Sequence, residues 1–178
     1  MKGKLKVKIV IMNGSPRVNG NTAAMVEAFA RGAKEAGHQV ETVVVGTMKI
    51  AGCRSCDWCH GAGKGACVQQ DDMQKVYPIV KDAEMIVFAS PVYYFTMSAQ
   101  LQAAIQRFYC WGQHPTMKKG VLLLSSYSPD VYAGAKGEYA GILNYFGASD
   151  CGIVTSDNST NKTEAKLNEC YELGHRVK

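Results

Sequence analysis

This 178-residue sequence predicts a doubly wound α/β fold, with a five-stranded parallel sheet, helices on both faces and the whole chain 1–178 forming a single domain. Three observations predict it. Short apolar runs alternate with helix-periodic segments along the whole chain. The runs are mostly continuous, as strands buried on both faces require. A loop rich in Gly and Asn separates the first apolar run from the first helical segment, where such folds receive an anion.

The elements follow in order. Residues 6–12, rich in Val and Ile, form the first strand. Residues 22–36 place Ala23, Val26, Ala30 and Ala33 on one helical face, and Gly37 stops that helix. Residues 39–45 are the second strand, and 71–82 a helix with an acidic first turn. Residues 85–89 are the third strand, followed by a helix over 98–111 with Leu101, Ile105 and Phe108 on one stripe. Residues 120–125 are the fourth strand, and 135–146 a helix despite two glycines. Residues 151–156 are the fifth strand, and 162–175 the closing helix. The connection over 46–70 is far longer than usual for this kind of fold and holds four of the seven cysteines. No linker, repeat or low-complexity tract interrupts the pattern.

Composition excludes several function classes. The net charge is +5, and Lys2, Lys4, Lys6 and Lys8 supply four of those charges. That run reads as a solvated lead-in to the first strand. No RNP, zinc-finger or helix-turn-helix pattern accompanies it, so no nucleic-acid partner is expected. No stretch reaches the roughly 18 apolar residues of a membrane helix, and no membrane association is expected. The N-terminus lacks the order of a signal peptide, which makes the cytoplasm the expected location. There the cysteines serve as thiols, metal ligands or redox groups rather than structural disulfides. The Asn158-Ser-Thr and Asn161-Lys-Thr triplets match a glycosylation pattern, which the absence of an export signal discounts.

The first loop is Asn13-Gly-Ser-Pro-Arg-Val-Asn-Gly-Asn-Thr22. Gly14 and Gly20 allow a tight turn and a close approach to a ligand. Ser15, Asn19, Asn21 and Thr22 offer neutral hydrogen-bond donors, and the helix N-terminus adds free N–H groups and a partial positive charge. Arg17 either adds charge or points into solvent. A Walker Gly-Lys-Ser/Thr ending is missing, and so is G-x-G-x-x-G, which argues against a nucleoside triphosphate. Composition alone also allows an ordinary turn with a helix cap.

Gly14-Ser-Pro-Arg-x-Asn-Gly-Asn-Thr22 resembles the FMN-phosphate loop of the NAD(P)H-dependent FMN reductase branch of the flavodoxin-like superfamily. A second matching segment runs from Ser90-Pro-Val-Tyr-Tyr-Phe through Ala103-Ala-Ile-Gln-Arg107. The resemblance covers the chain from the first strand to about Ser126. It implies strand order 2-1-3-4-5 and FMN at the carboxyl ends of strands one and three. It also implies that Pro91, Val92, Tyr93, Tyr94 and Phe95 line the flavin ring. Flat aromatic faces suit a flat tricyclic ring; the competing reading makes Tyr93 and Phe95 core residues over the sheet end. Ser125 and Ser126, with Tyr127 and Ser128, form a third loop whose hydroxyls face ring or substrate.

Cys53-x2-Cys56-x2-Cys59-x7-Cys67 resembles the compact motif of iron–sulfur flavoproteins, which share this fold and pass electrons between a [4Fe–4S] cluster and FMN. Many cluster-free FMN reductases carry a similar loop, in which the thiols pack or act as redox groups, so both readings stand. Cys110, Cys151 and Cys170 are isolated in sequence and read as small apolar residues. Trp58 and Trp111 cover the flavin or a subunit contact, or Trp111 ends a core stripe.

The resemblance implies an FMN-dependent NAD(P)H oxidoreductase that passes electrons from a nicotinamide nucleotide to a quinone, flavin or other small acceptor. The alternative is an iron–sulfur flavoprotein. In either case flavin carries the chemistry, so no catalytic side chain is expected. A homodimer or homotetramer is the assembly that the resemblance implies.

Overall fold

The computed structural model describes residues 6–178. Lys2 and Lys4 of the basic run lie outside the described residues. The main sheet contains β1 (Lys8–Asn13), β2 (Gln39–Val43), β3 (Met85–Tyr93), β5 (Lys119–Ser125) and β6 (Ser149–Ser156), with β4 (Thr96–Met97) attached to β3 alone. The order is β2-β1-β3-β5-β6, all parallel. This is the expected 2-1-3-4-5 arrangement with one short antiparallel strand added to the count.

The helices are α1 (Asn21–Glu35), α2 (Met73–Val80), α3 (Ala99–Gln106), α4 (Ala133–Phe146) and α5 (Glu164–His175). Alternate strand residues explain the two layers. Ile9, Ile11, Met85, Val87, Val121 and Leu123 point to one face, where Phe29 of α1 and Cys170 of α5 cover them. Val10, Met12, Ile86, Phe88, Leu122 and Leu124 point to the other, under Val76 of α2, Leu101 of α3 and Tyr139 of α4. A period of two with both phases apolar is what a buried parallel sheet demands.

Several elements depart from expectation. Only Val43 of β2 is buried, because β2 is an edge strand with polar Glu41 and Thr42 exposed. The helix expected over 71–82 starts at Met73, since Asp71 Oδ1 accepts the Met73 N–H at 3.1 Å and the acidic pair precedes the first turn. The helix expected over 98–111 ends at Gln106 and tightens into a 3₁₀ segment, Arg107–Trp111. Ser98 caps it, accepting from the Leu101 N–H at 3.4 Å.

Candidate functional site

The strand order reverses between β1 and β3, and ligands of open α/β sheets bind outside the strand ends at such a point. A cleft of about 360 Å³ opens there, between the loops that leave β1, β3, β5 and β6. Ser15, Arg17, Asn21, Thr22, Pro91, Val92, Tyr93, Ser125 and Ser126 line it. Three segments far apart in sequence therefore line one cleft.

The loop after β1 is built to stay open. Gly14 donates its N–H to the Ala89 carbonyl at 2.8 Å, and its own carbonyl accepts from Ser98 Oγ at 2.8 Å. A Cβ at Gly14 would stand 2.5 Å from Ser98 Oγ, so only glycine fits. The Ser15 N–H donates to Asn13 Oδ1 at 2.9 Å, and Ser15 Oγ accepts the Arg17 N–H at 3.2 Å. Helix α1 starts after Gly20, and no side chain caps it. Its first N–H groups are thus left to a ligand. Buried Thr22 and Ser125 share a 2.7 Å hydrogen bond across the cleft floor.

Asn19 is exposed and does not line the cleft; its carbonyl accepts from Lys162 Nζ at 2.8 Å. Tyr94 and Phe95 lie outside the main cleft, in an adjoining hollow of about 210 Å³ with Val92, Ser126, Tyr127, Ser128 and Val131. The segment expected as a loop is a hairpin: β3 runs on through Pro91 and Tyr93 and pairs with β4. Tyr94 and Phe95 form its turn with φ of 46° and 69°, a left-handed backbone costly for aromatic residues. Helix α4 clamps the turn, because the Ala135 N–H donates to the Phe95 carbonyl at 2.9 Å. Gly134 makes room, since a Cβ there would stand 2.5 Å from that carbonyl oxygen. Tyr93, Tyr94 and Phe95 are exposed, so none is a core residue.

The loop after β6 supplies a wall that the sequence reading missed. Asn158 and Asn161 line the cleft. Asn161 Nδ2 donates to the Ser126 carbonyl at 2.9 Å, and its Oδ1 accepts from Ser156 Oγ at 2.9 Å. The signal was there: β6 neighbours β5, so its outgoing loop has to border the same sheet end.

A groove of about 580 Å³, larger than the cleft, runs between α1 and the exposed edge strand β2. Val26 and Ala30 of α1 line it with Thr42 of the edge strand and Val44 just after it, and it meets the loop after β1 at Asn13 and Val18 without reaching the ends of β3 or β5. We place the site in the smaller cleft, where the switch point, the uncapped helix and the hydroxyls converge.

A second recess lies on the 46–70 connection. Cys53, Cys56, Cys59 and Cys67 line it together, joined by Cys110 and Arg107 from the segment after α3. Cys110 is therefore not isolated in space, although Cys170 is a core residue as expected. All seven cysteines are free. Three left-handed non-glycine residues, Ser55, Asp57 and Lys64, wind the loop tightly. The Ser55 N–H donates to Cys53 Sγ at 3.4 Å. Burial pushes the Cys110 thiol up to about 11 and raises Cys59 as well. Burial also acts to raise Cys67, but the Gln69 N–H and the Arg107 charge outweigh it and hold that thiol below its usual value. Among the described residues no three Cys, His, Asp or Glu side chains stand in a ready-made metal-binding arrangement. The thiols share one recess but do not converge on one point. Trp58 is half-exposed, and Trp111 stacks on Phe108 at 5.5 Å within the core stripe; neither lines the cleft.

The comparisons with known proteins bear on the family and the fold. An iron–sulfur flavoprotein of Archaeoglobus fulgidus is 38% identical over 112 residues, covering 63% of this chain and 50% of the relative. An iron–sulfur flavoprotein of Methanosarcina thermophila is 35% identical over 101 residues, covering 57% and 52%. The chain thus spans about half the length of these relatives. The crystal structure of azoreductase from Bacillus anthracis shares the fold with a TM-score of 0.72 at 20% identity, covering 96% of this chain and all of that one. No helix among the described residues is long and apolar enough to cross a membrane. Residues 7–160 match the family described as NADPH-dependent FMN reductase, and the chain belongs to it.

Proposed function

We propose that the cleft binds FMN and that the chain passes electrons from NAD(P)H through it to a quinone, flavin or other small acceptor. One observation carries this reading: the uncapped N-terminus of α1 opens into the same cleft as the end of β3 and the Ser125–Ser126 loop. The helix end and the Ser15 loop suit a phosphate. Thr22 and Ser125 offer hydroxyls along the chain of the ligand, and Pro91, Val92 and Tyr93 suit a flat ring. FMN, when bound, supplies two-electron redox chemistry, and the protein supplies binding, orientation and exclusion of water. Tyr94, Phe95 and Tyr127 are exposed at the hollow beside the cleft and leave room for the second substrate. A homodimer or homotetramer and a cytoplasmic location belong to the same reading.

A second reading adds a [4Fe–4S] cluster on Cys53, Cys56, Cys59 and Cys67. Two observations favour it: the four thiols share one recess, and the relatives named above are iron–sulfur flavoproteins. The donor set is right for such a cluster, and the N–H on Cys53 Sγ is the kind of bond that tunes one. Loading requires the side chains to turn inward.

The test is anaerobic purification followed by flavin, iron and sulfide analysis, with the visible spectrum read before and after NADH or NADPH. Bound FMN that bleaches with either nucleotide supports the oxidoreductase, and a protein whose flavin neither nucleotide reduces overturns it. Stoichiometric iron with a broad absorbance under the flavin bands supports the cluster, and its absence after anaerobic preparation removes it. Ser15→Asp, which sets a carboxylate beside the phosphate, should weaken FMN binding at least tenfold, about 1.4 kcal/mol or more. Unchanged affinity would move the site elsewhere.

A further inference from the structure

Arg107 is the only buried Lys or Arg among the described residues, and its side chain is fully shielded from solvent. Its Nη1 donates to Asp71 Oδ2 at 2.7 Å and to the Ala51 carbonyl at 3.0 Å. Its Nη2 donates to the Gln69 carbonyl at 3.4 Å. Ala51 and Gln69 bracket Cys53–Cys67 on either side, so one guanidinium holds both ends of the cysteine loop. Asp71 reinforces the closure by accepting the Ala51 N–H at 3.0 Å. Gln69 Nε2 adds a bond to the Gly52 carbonyl at 3.2 Å.

The guanidinium also has an unused donor. Arg107 Nε is buried with no hydrogen-bond partner, and Arg107 lines the thiol recess beside Cys67. A buried N–H of a cation without an acceptor is rare, because its hydration has been given up for nothing. An acceptor arriving in the recess would remove the anomaly. Four thiolates around a [4Fe–4S] core carry net negative charge, and their sulfurs accept hydrogen bonds. Asp71 balances the formal charge of Arg107, and on the thiol side the guanidinium already favours the Cys67 thiolate, while its Nε–H keeps no acceptor of its own.

We propose that Arg107 is a positioning residue for the cluster: it staples the cysteine loop shut at both ends and turns its free Nε–H and positive charge toward the cluster sulfurs. This rests on the cluster reading above and deepens it. Two effects follow. The staple slows loss of iron, because ligands held in place rebind before the metal escapes. The nearby cation favours the reduced cluster, which carries one more electron and one more negative charge, so it raises the midpoint potential.

The full chain, reconstituted anaerobically with iron and sulfide, tests both effects in the wild type, Arg107→Lys and Arg107→Gln. The readouts are iron and sulfide per chain, the rate of iron release to a chelator, and the midpoint potential from a dithionite titration; dithionite supplies the electron. Arg107→Gln should release iron about 10–100-fold faster and show a more negative potential. Arg107→Lys keeps the charge without the fork, so it should recover most of the potential while still losing iron faster. A purely structural role would move the iron release and leave the potential where it is. If Arg107→Gln does not fold, as judged by circular dichroism, Arg107→Lys decides: wild-type iron release in that variant overturns the staple. If the wild type takes up no iron, the cluster reading falls and this assignment with it. If the wild type loads and both variants match it in release rate and potential, only the assignment falls.

Discussion

The strand-end cleft and the cysteine recess are built by opposite means. The cleft is walled by loops leaving four neighbouring strands of one sheet, and many short neutral hydrogen bonds fix it. The recess hangs on a long connection between β2 and α2, and one buried ion pair gathers it. A site made of strand ends inherits the rigidity of the sheet and spreads its stability over many small contributions. A site made of a loop depends on whatever closes the loop. The two should therefore respond differently to single substitutions and to acid.

The largest contrast comes from removing one group from each. Asp71→Ala leaves the Arg107 guanidinium buried without its carboxylate, a situation that costs about 3–5 kcal/mol. Thr22→Val in the cleft strands one hydroxyl, that of Ser125, at about 1–3 kcal/mol. Urea unfolding of the two variants measures both. A loss in Asp71→Ala no larger than that in Thr22→Val would break the comparison, because the recess would then have no single keystone.

Acid provides the next contrast. His114 packs against Phe108 and Trp111, in the 3₁₀ segment that also carries Arg107 and Cys110. Its Nδ1 accepts the Met117 N–H at 3.1 Å, and its buried Nε2 has no partner. Burial pushes its pKa down to about 4, from about 6.5 in an unfolded chain. Between those values the unfolded state binds the extra proton. Stability from this group is thus complete above 6.5, falls as the pH drops through the window, and is gone below 4, a loss of roughly 3 kcal/mol. Hydrogen exchange across pH 4–7 should show the segment after α3 opening in acid before the loop after β1 does. His114→Phe should flatten the slope of stability against pH in that window. An unchanged slope would show that other groups govern acid unfolding.

The same contrast decides what could be read from the sequence. β1, β3 and β5 are continuous apolar runs because both sheet faces bury them, and the loops at their ends were legible for that reason. β2 was overestimated, since the alternation in Gln39–Val43 marks an edge rather than a buried strand. The β3–β4 hairpin was hidden because its turn uses Tyr94 and Phe95, where left-handed backbone normally announces itself by Gly or Asn. Cysteine spacing revealed four thiols, but the fifth, Cys110, and the Arg107 staple arrive through tertiary closure and leave no local pattern. Asn158 and Asn161 lie before the helix expected over 162–175 and join the cleft only through the placement of the loop after β6, and Lys162 belongs to that loop because α5 begins at Glu164.

Lys162 offers the smallest and sharpest test of how the cleft spreads its binding. It is a lysine in left-handed backbone, φ 61°, where glycine would sit without strain. Its exposed Nζ reaches the Asn19 carbonyl at 2.8 Å and latches the loop after β6 to the loop after β1. Retaining a strained lysine there is explained if its cation also serves the anion site. Lys162→Gly relieves the backbone and removes the charge; Lys162→Met removes the charge and keeps the strain. Both should weaken FMN about two- to fivefold, under 1 kcal/mol, as one exposed charged contact among many allows. Lys162→Gly alone should hold or raise the unfolding free energy by up to about 1 kcal/mol. Flavin fluorescence titration and urea unfolding separate the two effects. A variant that gains stability while losing flavin would show that the strain is kept for binding. Full affinity in both variants would mean that the neutral groups of the cleft suffice, and Lys162 would be a latch only.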